Sequence, residues 1–204
     1  MITSGITRRL RAILAAVTVA AAAIGLSGCS PEQIEQRSYN ASIQAQLDYV
    51  HAHWNSYNDA EYGALPDSDC VNFASQSLIA RGWQMDDDWS FDTDADGDHE
   101  YSDAWVSSTL FERYLRAHPE RATELAATDL GALQLGDIVQ FDWDDSGDED
   151  HTGIVTRIVG DGADRQVYFA GHTLDSHYRS VTNAITETYP GARVTYWHLA
   201  APAS

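Results

Sequence analysis

Apolar side chains recur along this chain with two different periods, and the change of period divides it. Ile43, Leu47, Val50 and Trp54 follow one another at spacings of 4, 3 and 4 residues, which lays one apolar stripe along a helix from Tyr39 to Trp54. Cys70 to Arg81 reads as a second helix, with Ser68 or Asp69 as its cap and Gly82 as its stop. A third runs from Ala104 to His118, where Pro119 interrupts it. The intervening stretches, 55–68 with Gly63 and Pro66 and the acidic 86–103, read as loops. After Gly131 the texture turns to β. Ile138 to Trp143, Thr152 to Val159, Gln166 to His172 and Arg193 to Leu199 are β-branched or aromatic runs. Helices first and strands second predict an α+β domain, its N-terminal helices packed on a C-terminal antiparallel sheet.

The first 28 residues stand outside that pattern. Arg8, Arg9 and Arg11 precede a charge-free run, Ala12 to Leu26, too short for a comfortable membrane span. The run ends in Leu26-Ser27-Gly28-Cys29, which resembles the lipobox of bacterial lipoproteins. That resemblance implies a signal peptide over 1–28, lipid on Cys29, a polar tether over 29–38 and a domain over 39–200. The expected location is extracytoplasmic, lipid-anchored to the bacterial cell membrane. Without the leader the chain carries 9 bases, all arginine, against 31 acids, a net charge of −22. Such a surface repels phosphate backbones, so nucleic acid is excluded as a partner.

Of two cysteines, assigning Cys29 to lipid leaves Cys70 as the sole thiol of an exported body. A cysteine in the first turn of a helix meets unpaired backbone N–H groups and the positive end of the helix dipole, which favour thiolate. The same N–H groups can hold an oxyanion. A thiol nucleophile also needs a base. His151 opens the strand Thr152 to Val159, and Gly153 leaves space beside it. His172 ends the next strand, where it can hold the His151 imidazole in one tautomer, the third role of a triad.

The blocks Asp69-Cys70-Val71-Asn72-Phe73-Ala74-Ser75-Gln76, Gly136 to Asp142, Asp150 to Thr156 and Gly171-His172-Thr173 together resemble the putative amidase domain family, in the family's order. The resemblance implies a papain-like fold, a Cys70 nucleophile and a His151 base, with His172 at the third position. It also implies amide cleavage in peptide or peptidoglycan-like substrates without a required cofactor. Val71 and Ser77 depart from the family's usual Thr and second Cys. Papain-like acyl transfer uses the same residues.

Other groups invite different chemistry. Asp92, Asp94, Asp96 and Gly97 open a D-x-D-x-D-G calcium loop with Asp103 at its twelfth position, and Asp142 to Asp148 repeats the opening. A calcium-binding, non-catalytic surface lipoprotein is therefore the rival reading. His51 and His53 point to different helix faces and do not make a zinc site. Asp69 beside the thiol, and Trp83 and Trp89 after the second helix, are candidates for the oxyanion region and substrate groove.

Overall fold

The computed structural model describes residues 31–202 apart from 127 and 129. The leader and Cys29 lie outside the described residues. Helix α1 runs Pro31–His53, followed by α2 (Asp59–Tyr62) and α3 (Cys70–Arg81). A hairpin, β1 (Phe91–Thr93) and β2 (His99–Tyr101), leads to α4 (Asp103–Val106) and α5 (Ser108–Ala117). The strands β3 (Ala122–Leu125), β4 (Ile138–Asp142), β5 (His151–Val159), β6 (Gln166–Gly171), β7 (Ser176–Ser180) and β8 (Arg193–Leu199) follow, with short helical segments at Gly162–Asp164, Val181–Asn183 and Ala184–Thr188. They form one six-stranded sheet in the order β3-β8-β4-β5-β6-β7. Every pairing in it is antiparallel. The α+β class read from the sequence is the class observed.

Residue alternation along the strands builds two cores. Ile138, Ile154, Ala170, Trp197 and Leu199 face the helices and pack with Val71, Phe73, Ala74 and Leu78 of α3. Val139, Phe141, Val155, Phe169 and Tyr196 make the apolar layer on the opposite face. Covered on both faces, β4 is buried along its whole length. Ten of the twelve residues of α3 are buried, because the helix is clamped between α1 and the sheet. The Gly82 stop holds: this residue adopts the left-handed conformation, and its N–H returns to the Leu78 and Ile79 carbonyls.

Several boundaries differ from the sequence reading, and the stretch 55–68, expected as loop, holds α2. The segment expected to be a tether is helical from Pro31, a residue whose missing N–H costs nothing in a first turn. The helix expected over 104–118 is broken at Ser107, whose extended backbone (φ −108°, ψ 122°) separates α4 from α5. Ser107 accepts a hydrogen bond from the Leu110 N–H, so the break doubles as an N-cap and makes Ser108 the first residue of α5. The acidic stretch, expected as loop, holds the β1–β2 hairpin. Among the described residues no helix is long and apolar enough to cross a membrane.

Candidate active site

The start of α3 lies against the start of β5, and this contact builds the site. Cys70 is 6% exposed. Its sulfur takes the backbone N–H of Thr152 from β5 and that of Val71 from its own helix. On a third side it lies 3.8 Å from the Ser108 hydroxyl oxygen. Burial pushes the thiol above its ordinary value, against the pull of these donors, and the neighbouring Asp69 charge adds to the rise. Cys70 is the free thiol of the described chain.

One cavity of about 390 Å³ reaches the thiol, lined by Asp67, Ser68, Cys70, Ser108, Glu149, His151 and Thr173 among others. Cys70 and His151, 81 positions apart in the chain, thus border the same space. Strand alternation gives His151 the face it shares with Phe141, its cross-strand partner, and with Phe169. Trp143 stacks on the ring with centroids 5.7 Å apart. His151 thus lines the cavity while its ring packs on the face of the sheet turned away from the helices, and no hydrogen bond joins it to the Cys70 sulfur. Burial holds its pKa down to about 4, and the Arg179 cation works in the same direction. Arg179 is enclosed by the rings of Trp143, Phe169 and Tyr189. Gly171 supplies the room for the ring: a β-carbon there would lie 3.1 Å from His151 Nε2.

His172 does not hold His151. Its Nδ1 lies 2.5 Å from Asp69 Oδ2, and its Nε2 lies 2.8 Å from the His53 carbonyl. Tyr57 and Phe73 stack on its two faces, each with centroids 3.9 Å away. The reason is again strand parity. The residue after Gly171 points to the helix side of the sheet, whereas His151 points away from it. Asp69, read as cap or oxyanion residue, makes no side-chain cap. It is fully buried, accepting from the Leu65 N–H, the Asn72 amide and His172. The pair therefore bolts the chain before the nucleophile to the end of β6. Thr173, next in sequence, lines the cavity with φ 75°, a rare conformation for a β-branched residue.

Trp83 and Trp89 do not border this cavity. Trp89 is fully buried against Trp105, with its indole N–H on Ser75, and Trp83 packs edge-on to it. Arg121 lies over the Trp83 ring. Both indoles serve the helical core. In the Asp92–Asp103 loop, Asp92 accepts from the Thr93 N–H and Asp94 from the Asp96 and Asp98 N–H groups, closing the hairpin turn. Asp103 starts α4. Among the described residues, Asp142, Asp144 and Asp150 converge, their oxygens within 4.8 Å of one another just before His151.

The sequence reading missed Ser108, Thr152, Gln140 and Glu149. Ser108 hid at a helix start no periodicity marked, and Thr152 and Gln140 look like ordinary strand positions. Glu149 lines the cavity with its Oε1 accepting from Thr195 and its Oε2 buried without a hydrogen-bond partner among the described residues. Burial pushes its carboxyl up to about 7, and the charges of Glu112, Asp142 and Asp150 add to the rise.

The sequence pattern of the putative amidase domain matches residues 38–197. No curated protein and no solved structure matches the chain.

Proposed function

The chain belongs to the putative amidase domain family, and from that premise we propose that it is an exported thiol hydrolase in which Cys70 attacks an amide carbonyl and His151 moves the proton. The observation that carries this reading is the setting of the Cys70 sulfur. It lies at a helix start, faces the donors Thr152 N–H, Val71 N–H and Ser108, and opens on a cavity it shares with His151. Donors gathered around a buried sulfur stabilise the thiolate that attack requires.

In the first half-reaction the thiol gives its proton to the His151 imidazole. The sulfur lone pair forms a C–S bond, and the carbonyl π pair moves onto oxygen. Collapse restores the carbonyl and breaks the C–N bond, the amine leaving with the proton held by His151. In the second half-reaction His151 takes a proton from water. The hydroxide attacks the thioester, and the sulfur departs, regaining its proton as the acid is released. An amine in place of that water makes the same site an acyltransferase. At neutral pH the His151 ring, its pKa held near 4, is in the unprotonated form a general base requires, although burial makes it a weak one.

The leader and the Cys29 lipobox support export and lipid anchoring to the cell membrane. Peptide amides of the cell wall are the substrates within reach of a protein held there. The test is mass spectrometry of purified peptidoglycan fragments incubated with wild type and with Cys70→Ala. The proposal expects new amine and carboxylate ends, a gain of one water, from the wild type alone. Identical products from both proteins overturn it.

A further inference from the structure

Behind the sulfur runs a line of buried polar groups that the hydrolase reading does not by itself require. Trp197 Nε1 donates to Gln140 Oε1 at 2.8 Å. Gln140 Nε2 donates to Thr152 Oγ1 at 3.1 Å and to the Ser108 carbonyl at 2.9 Å. Thr152 Oγ1 lies 2.8 Å from Ser108 Oγ, and Ser108 Oγ lies 3.8 Å from Cys70 Sγ. Gln140 and Thr152 are fully buried, and Trp197 is 1% exposed.

Donor and acceptor bookkeeping gives this line a direction. An indole N–H only donates, so the Gln140 oxygen must face Trp197 and its NH₂ must face Thr152 and Ser108. A carbonyl only accepts, and the Ser108 carbonyl fixes the same orientation independently. Thr152 Oγ1 is thus an acceptor toward Gln140. Its own hydrogen has one acceptor among the described residues, Ser108 Oγ. Were Ser108 to donate to Thr152 instead, the Thr152 hydrogen would be buried with nowhere to go. Thr152 therefore donates to Ser108, and the Ser108 hydrogen is left for the sulfur. In the thiol state, S–H and O–H can exchange the donor role. Once the proton has left for His151 the direction is single.

We propose that Ser108 is a catalytic residue of this site, its hydroxyl donating to the Cys70 thiolate, with Thr152 and Gln140 as positioning residues that aim it. Alternation along β5 is what makes this possible. It turns His151 to the face away from the helices and Thr152 to the helix side, where the hydroxyl line meets the sulfur at the start of α3. The inference rests on Cys70 being the nucleophile, but the state it describes, the thiolate, is read without any amide substrate.

The experiment is the pH profile of Cys70 alkylation by iodoacetamide in the full chain, followed by mass spectrometry of the Cys70 peptide so that Cys29 does not contribute. Removing the hydroxyl donor to the thiolate is expected to move the profile up by about one pH unit, roughly tenfold less thiolate at a given pH below the midpoint. Ser108→Ala shows that shift. Ser108→Thr, which keeps the hydroxyl, stays near wild type. Thr152→Val, which lets the Ser108 hydrogen turn away, shifts the same way by a smaller step. Should Ser108→Ala fail to fold, Ser108→Gly takes its place. A profile unmoved by loss of the hydroxyl overturns the proposal while leaving Cys70 reactive. Failure of the hydrolase reading looks different: Cys70→Ala then keeps the peptidoglycan products.

Discussion

Gly171→Ala probes the seat of the His151 ring with one added carbon. Gly171 is not among the glycines with positive φ, so alanine can adopt its backbone, and the perturbation of the folded state is one of space. The new β-carbon would lie 3.1 Å from His151 Nε2 and 3.5 Å from both Cε1 and the Thr152 carbonyl. The ring must retreat by a few tenths of an ångström, since the strands on either side cannot part. Overpacking of this kind costs about 1–3 kcal/mol, of which the stiffer unfolded chain returns about 0.4–1 kcal/mol. The expected net loss of stability is therefore about 1 kcal/mol, measured by urea denaturation. Catalysis is more sensitive. A displacement of 1 Å costs about a hundredfold, so a few tenths should lower kcat/KM roughly fivefold, measured on the peptide amide that the wild type cleaves. Full activity at reduced stability would refute the reasoning, because the ring would then have moved without the reaction noticing.

Other consequences follow from buried charges. Asp69→Ala removes a fully buried carboxylate from His172, Asn72 and the Leu65 N–H; breaking such a pair is expected to cost about 3–5 kcal/mol in urea denaturation, and a loss below about 1 kcal/mol contradicts the clamp. Glu149, held near 7 against an ordinary 4.5, binds a proton in the folded state that the unfolded chain releases, so it destabilises the fold increasingly as pH rises from about 4.5 to 7. After allowance for solvent screening at a partly open side chain, Glu149→Gln should gain roughly 1–2 kcal/mol at pH 8 and nothing at pH 4. A gain equal at both pH values rules that account out. Because His151 stays neutral until about pH 4, the acid limb of the kcat/KM profile should fall near pH 4–5. A limb at the ordinary histidine value of 6.5 would show that this ring is not the base.

Much of this arrangement was legible in the residues. The 4-3-4 spacing of Ile43, Leu47, Val50 and Trp54 marked the first helix, although that helix runs on from Pro31 to His53. Arg193 to Leu199 is a strand with the boundaries its β-branched and aromatic texture suggested. Gly82 ended α3 for the reason glycines end helices. Short elements escaped. β3 and β7, at the two edges of the sheet, carry Glu, Arg and Ser and owe their form to the neighbouring strand rather than to their own composition. At the site, chain position singled out Cys70 and His151, which both line one cavity. It misjudged His172, because one residue along a strand reverses the face, and the difference between Gly171 and His172 decides which side of the sheet a ring occupies. The pairing with Asp69 joins residues 103 apart in the chain and has no local signature.

The central claim is a covalent one and can be seen directly. Wild type mixed rapidly with the amide substrate and quenched in acid should show, by intact-protein and peptide mass spectrometry, the acyl fragment attached to Cys70. His151→Ala should accumulate far less of it, since no group then takes the thiol proton. Turnover of the substrate with no acyl group ever found on Cys70, or an unchanged adduct yield in His151→Ala, would contradict the account.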